Sequence, residues 1–193
     1  LGADSMMGRK PFTPGEDITI KYLAGELKNL GFEPAFDQSW FQEVPMVEIL
    51  TEVDGKALVT SGRNRIELAA PDEIAIESPS MSQYVELEEI PIVFCGFGII
   101  APEYDWNDFD GLDVKGKCVV VLVNDPGLYT GDPSLFKGKE MTYYGRWTYK
   151  YEEAARQGAA AVLIIHETAG AGYDYSIPRK SSLSPGLYME TAK

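Results

Sequence analysis

The sequence predicts a mixed α/β fold, in which short hairpin strands come first and a strand, helix and strand unit follows. An Asp-Gly dipeptide at 54–55 and a Ser-Gly dipeptide at 61–62 separate short, partly alternating runs, which is typical of hairpins. The run 117–123 is apolar without alternation, which indicates a strand covered on both faces in a parallel sheet. A helical segment and a second apolar run at 159–166 come after it. We therefore expect a right-handed βαβ crossover with two parallel strands.

The first predicted element is an amphipathic helix over 14–30. Thr13 is its expected N-cap, Pro14 its first helical residue and Glu16 the acidic residue of a capping box. Gly31 supplies the left-handed residue that commonly follows a helix. Because the chain before the helix offers few apolar partners, we expect the apolar stripe of the helix to pack on another core. The stripe consists of Ile20, Leu23, Leu27 and Leu30.

Three short strands are expected before the crossover, and a fourth leads into it. The segment 71–79 begins and ends with Pro and is expected to be a loop. These elements divide the chain into an N-terminal arm at 1–45 and one α/β domain at 46–193. The four strand segments are 46–53, 56–61, 65–69 and 90–100.

A second helix, predicted over about 143–157 and ended by Gly158, has the most unusual composition in the chain. The predicted face by which it docks on the sheet consists of Tyr144, Trp147, Tyr151 and Ala154. Other residues of the helix point away from this face, and aromatic residues beside Arg are typical of contact surfaces. The predicted substrate or partner contacts are therefore Tyr143, Arg146 and Tyr149.

The charge balance excludes two classes of partner. The chain carries 17 Lys and Arg against 30 Asp and Glu, a formal net charge of -13. Nucleic-acid binders need clustered basic residues to neutralise phosphates, so no nucleic-acid partner is expected. The same deficit argues against anionic membrane surfaces, and no apolar run approaches the roughly 18 to 20 residues that span a bilayer. No membrane partner is expected either.

The residues that bind zinc in proteins are scarce in this chain. One His and two Cys cannot fill a conventional zinc site. His166 begins a zinc-protease motif, but Gly170 stands where the second His would be, so a structural or surface role is preferred for His166. Cys95 and Cys118 lie in apolar runs, where buried free thiols are preferred to a disulfide or redox pair.

Two further motifs fail their context tests. An EF-hand would need acidic residues at Trp106 and Lys117, so the acidic turn over 105–113 is interpreted as solvated, with a noncanonical cation loop as the alternative. The run 96–101 copies the Gly-x-Gly-x-x-Ala dinucleotide fingerprint after a strand, but Pro102 follows and no helix opens. A strand end with a tight turn is preferred there. The acidic residues of the turn are Asp105, Asp108, Asp110 and Asp113.

The segment 92–123 resembles a protease-associated domain, on three motifs. They are Ile-Val-Phe-Cys-Gly-Phe-Gly-Ile-Ile-Ala-Pro-Glu-Tyr from Ile92, Trp-Asn-Asp-Phe from Trp106 and Asp-Val-Lys-Gly-Lys-Cys-Val-Val-Val-Leu-Val from Asp113. The stretch 141–166, with Tyr-Tyr-Gly-Arg-Trp-Thr-Tyr-Lys-Tyr-Glu-Glu-Ala-Ala-Arg-Gln-Gly-Ala-Ala, is similar to the form of that domain inserted in co-catalytic zinc aminopeptidases. These are metallopeptidases of the aminopeptidase Y and glutamate carboxypeptidase type, family twenty-eight. The arm, with Asp-Ser-Met-Met-Gly-Arg, Thr-Pro-Gly-Glu and Leu-Gly-Phe-Glu-Pro, is similar to the opening of their catalytic domain.

The resemblance implies a β/β/α sandwich of the protease-associated type, preceded by a helical arm that belongs to an absent catalytic domain. In such peptidases, two His and several Asp or Glu hold two zinc ions, and a further Glu activates the bridging water. Those ligands lie beyond the inserted domain in the family pattern. The resemblance therefore implies no catalytic residue and no metal ligand in this chain, and two zinc ions in the absent catalytic domain. It also implies a periplasmic or extracellular location.

The predicted function is the noncatalytic arm and protease-associated portion of an aminopeptidase that removes N-terminal residues from peptides. The inserted domain would shape substrate access or contacts, and the expected partners are the catalytic domain, a peptide substrate and, as a further option, a second copy in a homodimer. The alternative is a stand-alone protease-associated module that binds a peptide or protein without catalysis. An independent module should cover the apolar stripe of the first helix, whereas part of a larger protein should leave it partly uncovered.

Overall fold

The computed structural model describes residues 1–35 and 38–190, and its mixture of helices and strands confirms the α/β class. The chain forms two compact units, one from Leu1–Val47 with the chain from Tyr188 onward, the other from Glu48–Leu187. Within the described residues, no helix has the length and apolar character needed to cross a membrane. The helices are α1 (Pro14–Asn29), α2 (Pro126–Thr130), α3 (Trp147–Arg156), α4 (Thr168–Ala171) and α5 (Ser176–Ser181). The strands are β1 (Met46–Ile49), β2 (Lys56–Ser61), β3 (Asn64–Ala69), β4 (Ile92–Phe94), β5 (Ile100–Ala101), β6 (Trp106–Asn107), β7 (Cys118–Leu122), β8 (Ala161–Ile165) and β9 (Gly186–Met189).

Helix α1 begins and ends where its terminal residues predict. Pro14 is the first helical residue, and the carboxylate of Glu16 accepts a hydrogen bond from the backbone N–H of Phe12. Gly31 takes a φ of 82°, and the N–H groups of the two residues after the C-cap donate back to the last turn in a Schellman motif. The predicted helix over 14–30 is therefore confirmed.

The buried face of α1 is narrow and lies near its N-terminus. Gly15 and Thr19 are buried, and Gly15 packs directly against the backbone of the 3-10 helix Asp4–Arg9. The predicted stripe is partly uncovered: Ile20 is half-buried, and the three Leu residues are exposed. Their exposed fractions are 41% for Leu23, 41% for Leu27 and 73% for Leu30.

The hairpin predicted at the Ser-Gly dipeptide is confirmed. Strand β2 pairs antiparallel with β3, with Ser61 opposite Asn64 across a two-residue turn in which Gly62 has a φ of 59°. The strand expected over 46–53 is shorter, and β1 does not join this hairpin. It pairs with β9, the last strand of the described chain. Turn residues specify only local pairing, so this long-range partner could not be predicted from them.

The core sheet is parallel, with strand order β4-β7-β8. Helix α3 lies in the connection from β7 to β8, which confirms the predicted βαβ unit. In the central strand, Val119 and Val121 are 0% and 1% exposed. The continuous strand expected over 90–100 is wrong, because Gly96 and Gly98 take φ values of 50° and 64° and turn the chain between β4 and β5.

Helix α3 begins later than predicted and buries a different face. A 3-10 helix occupies Tyr143–Gly145, and Arg146 is extended before the α-helix starts, so Tyr143 and Tyr144 do not belong to α3. The predicted docking face is wrong at Tyr151, which is 48% exposed. The residues that α3 does bury are Tyr149, Lys150, Glu153 and Ala154.

Both cysteines are free and buried, as preferred from the sequence. Desolvation raises the pKa of the Cys95 thiol and of the Cys118 thiol, and the carboxylate of Asp108 adds to the effect at Cys95. A raised pKa keeps a thiol protonated and weakens it as a nucleophile, so these residues serve as small apolar side chains.

Candidate functional site

The carboxyl ends of the three parallel strands bring polar residues to one edge of the sheet. The glycine-containing loop 95–99 follows β4, Asn124 and Asp125 follow β7, and His166 and Glu167 follow β8. Open α/β sheets generally bind ligands at this edge. We therefore treat it as the candidate site, and we call it the carboxyl edge.

Lys150 reaches the carboxyl edge from α3 and is only 2% exposed. Its Nζ donates one hydrogen bond to the carbonyl of Phe97 and another, of 2.9 Å, to the carbonyl of Asn124. Burial lowers the pKa of Lys150 to about 7, although the carboxylates of Asp108 and Asp125 oppose the shift. The amine thus ties the loop after β4 to the end of β7.

The glycine-containing loop 95–99 holds an anion, but the anion is a side chain of the same protein. One carboxylate oxygen of Asp108 accepts hydrogen bonds from the N–H of Phe97 at 3.1 Å and of Ile99 at 3.0 Å. A Cβ on Gly96 would lie 2.7 Å from the other oxygen, so this carboxylate requires glycine there. The tight turn preferred from the sequence is confirmed, and Asp108 occupies the position where a dinucleotide fingerprint would offer N–H groups to a phosphate.

Asp125 is fully buried and closes the loop that follows β7. One carboxylate oxygen accepts from the N–H of Gly127 at 3.1 Å. The other accepts from the N–H of Thr142 at 3.0 Å and from its hydroxyl at 2.7 Å. One carboxylate therefore joins both ends of this loop. Sequence reasoning missed Asp125, and the available signal was an Asp before Pro126, the usual arrangement at a helix start.

At the end of β8, Glu167 links the helix α2 residue Tyr129 to Gly170 in α4. Its carboxylate accepts from the Tyr129 hydroxyl at 2.7 Å and from the N–H of Gly170 at 3.1 Å. Burial and this carboxylate raise the pKa of Tyr129 to about 12. Asn124 donates from its side chain to the Gly170 carbonyl at 2.7 Å. These bonds pair the side chains of Asn124, Tyr129 and Glu167 with other groups of the protein.

His166 packs among aromatic rings directly after β8. The ring centroids of Trp147, Tyr173 and Tyr175 lie 6.3, 5.8 and 5.8 Å from that of the imidazole. Its Nε2 is buried and has no hydrogen-bond partner among residues 1–35 and 38–190. This environment agrees with the structural role preferred for His166.

The residues present do not fit a zinc ion. In the described part of the chain, no group of three or more His, Cys, Asp or Glu side chains is arranged to hold a metal. Two of the four carboxylates of the acidic turn bind groups of the protein: that of Asp108 binds the glycine-containing loop, and that of Asp113 pairs with Lys117 at 3.0 Å.

The three predicted contact residues have different environments. Tyr143 is 53% exposed, and its hydroxyl donates to the Glu152 carboxylate at 2.9 Å. Arg146 is exposed, and its guanidinium has no hydrogen-bond or ion-pair partner within the described residues. Tyr149 is only 5% exposed, and its hydroxyl bonds to both the N–H and the carbonyl of Ile100 at 3.1 Å. The expectation that Tyr149 points outward is wrong, because α3 buries the face that carries Tyr149, Lys150 and Glu153.

In comparisons with protein-family models, with curated proteins and with solved structures, nothing matched this chain.

Proposed function

We propose that this chain is the noncatalytic arm and protease-associated portion of an exported, zinc-dependent aminopeptidase, in which this portion shapes the access of peptides to a catalytic domain elsewhere in the protein. The observation that carries the proposal is the uncovered stripe of α1. Leu30 is 73% exposed, and Leu23 and Leu27 are each 41% exposed. Contiguous exposed apolar side chains mark an interaction surface, and a helix that belongs to a larger core has this property.

The carboxyl edge supports a noncatalytic role for the β4-β7-β8 unit. A catalytic group must reach its substrate, whereas Lys150 and Asp125 are 2% and 0% exposed. Their polar atoms bind backbone and side chains of the same protein. The chemistry assigned to the edge is therefore structural, and the proposed contacts lie elsewhere on the surface.

The surface at the start of α3 supports a contact role for two of the predicted residues. Tyr143 and Arg146 are both exposed and only three positions apart. Arg has five donors that match a carboxylate, and an exposed aromatic ring beside it adds apolar contact area. We assign to Tyr143 and Arg146 a positioning role toward the peptide substrate, without a part in bond cleavage.

The test is to isolate the native protein from its source with an antibody raised against this chain, and to measure its mass, zinc content and hydrolysis of leucine p-nitroanilide. We expect a polypeptide heavier than the 21.3 kDa of this chain, with zinc bound and with hydrolysis that a chelator abolishes. A native polypeptide of 21.3 kDa without zinc or hydrolysis would contradict the proposal and favour the stand-alone binding module.

The contact role is tested separately in the intact enzyme. We expect Tyr143→Ala and Arg146→Ala to lower kcat/KM for longer peptides by about threefold to tenfold, with little effect on leucine p-nitroanilide, which is too short to reach this surface. Thr148→Ala, at an exposed position of the same helix, is the control and should change neither. Unchanged kcat/KM for all peptides would remove both residues from the substrate path.

A further inference from the structure

An exposed segment with an unpaired backbone lies between the β2-β3 hairpin and β4. All residues from 81 to 89 are exposed, among them Met81 at 49%, Tyr84 at 70% and Leu87 at 50%. None has a regular secondary structure. Within the described chain, no backbone N–H or C=O of residues 83–88 forms a hydrogen bond. The segment therefore presents apolar side chains and free backbone groups together.

Side chains alternate in character along residues 84–88, which we call the docking strand. The negative charge of Glu86 raises the pKa of the exposed Tyr84 hydroxyl. In an extended conformation, residues two positions apart lie on the same side, so Tyr84 and Glu86 would share one side. Glu88 continues that acidic side, whereas Val85 and Leu87 fall on the other. Glu89, directly after this segment, has a left-handed φ of 50°.

We propose that the docking strand binds an extended basic peptide segment by β-strand addition. Backbone hydrogen bonds would provide the pairing, since a strand with unpaired N–H and C=O groups is a template for another chain. Val85 and Leu87 would contact apolar side chains of the partner. Glu86 and Glu88 would pair with Lys or Arg at alternate positions of the partner.

The negative charge of the docking strand favours a basic peptide over a second copy of the same chain. Pairing two docking strands would place acidic side chains across from one another, and like charges in cross-strand contact are destabilising. The net charge of -13 on each copy adds to that repulsion. A basic partner strand would replace both repulsions by attraction. The proposal concerns a surface other than Tyr143 and Arg146 and does not rest on the peptidase assignment.

The test uses the complete 193-residue chain and a capped hexapeptide, Lys-Val-Lys-Val-Lys-Val. A capped Lys-Lys-Lys-Val-Val-Val peptide has the same composition and charge without the alternation. We expect the alternating peptide to bind about fivefold or more tightly than the block peptide, and to slow amide exchange in residues 84–88 by about tenfold. Binding would be measured at about 0.15 M salt, where long-range attraction is screened.

Charge-matched variants separate the docking strand from general attraction to an acidic protein. Glu86→Lys with Glu88→Lys should abolish the preference for the alternating peptide. Glu26→Lys with Glu33→Lys changes the net charge equally at exposed positions in the other unit and should preserve it. Equal binding of the two peptides, protection confined to other segments, or full binding by the Glu86 and Glu88 variant would each overturn the proposal.

Discussion

Helices α1 and α3 differ in which side chains they bury: α1 leaves apolar residues exposed, whereas α3 buries charged ones. Helix α1 has clear terminal residues and a regular Leu stripe, yet two of these Leu residues are 41% exposed and a third is 73% exposed. Helix α3 is shorter, at 10 residues, and has a Lys and a Glu on its inner face. Lys150 and Glu153 are nevertheless 2% and 5% exposed.

The difference teaches that periodicity specifies a helix but does not specify what covers it. Burying a charged group is costly unless it finds partners. Lys150 finds two carbonyls, and Glu153 accepts hydrogen bonds from Arg156 at 2.9 Å and from Gln157 at 2.8 Å. The Leu residues of α1 need only an apolar neighbour, and the described residues do not cover them.

The largest effect is expected in the aromatic cluster on which α3 packs. Phe136 is fully buried there, stacked on Tyr104 with ring centroids 4.4 Å apart and in edge contact with Trp106 and Tyr144 at 5.7 Å. We expect Phe136→Ala to lower the free energy of unfolding by about 3 to 5 kcal/mol in urea titrations. The control is Phe32→Ala, just after α1.

Because Phe32 is 60% exposed, its removal should cost less than about 1 kcal/mol. Similar losses of unfolding free energy from both substitutions would show that the region around α1 is packed as well as the cluster beneath α3.

The second prediction concerns pH. The folded chain holds the pKa of Lys150 at about 7, against 10.5 for the free side chain, so between these values the unfolded chain binds more protons. Stability should therefore rise with pH, by roughly 2 kcal/mol from pH 7 to about pH 8.5. Urea titrations across this range measure the rise.

Lys150→Met should flatten that pH dependence, whereas Lys139→Met, at an exposed position, should leave it intact. An unchanged slope in Lys150→Met would show that Lys150 is not the titrating group.

A smaller effect is expected at Tyr149. Its hydroxyl both accepts from and donates to the backbone of Ile100 at 3.1 Å. Tyr149→Phe keeps the ring and leaves these partly buried backbone groups unpaired, so we expect a loss of about 1 to 2 kcal/mol. Tyr143→Phe, which removes an exposed hydroxyl, should cost less than about 0.5 kcal/mol. Equal costs would place Tyr149 outside the core.

The smallest effect is expected on the stripe of α1. Leu23→Ala with Leu27→Ala removes side chains that are each 41% exposed. In this chain we expect the pair to cost less than about 1 kcal/mol, because little apolar area is lost from burial and Ala is a good helix former. If the chain is part of the larger aminopeptidase that we propose, the same pair should cost about 3 kcal/mol or more in that protein, as buried Leu residues do. Equal small costs in the chain and in the native protein would contradict the proposal that α1 belongs to a larger core.

The elements that the sequence predicts well are those with local determinants. Pro14 and Gly31 bound α1, Gly62 forms the hairpin turn, and the apolar run of β7 indicates a buried parallel strand. The pairing of β1 with β9 has no local determinant, because the two strands are far apart in the sequence.

The candidate site was harder to predict because helix phase and polar burial depend on tertiary contacts. The inner face of α3 carries Tyr149 and Lys150, whose polar atoms bind backbone carbonyls of segments distant in the sequence. Asp108 looked like one of several solvated acidic residues, and only the folded loop brings it to the N–H groups of Phe97 and Ile99. The Gly-x-Gly spacing indicated the tight turn and gave no information about the carboxylate bound there.

The most direct test of the uncovered stripe is amide hydrogen exchange on this chain. A helix with few buried contacts is marginal in water, whereas a central strand opens only with its whole unit. We expect the amides of α1 to exchange about 100-fold or more faster than those of β7. Equal protection of α1 and β7 would contradict the account, because it would mean that the Leu face of α1 is already covered.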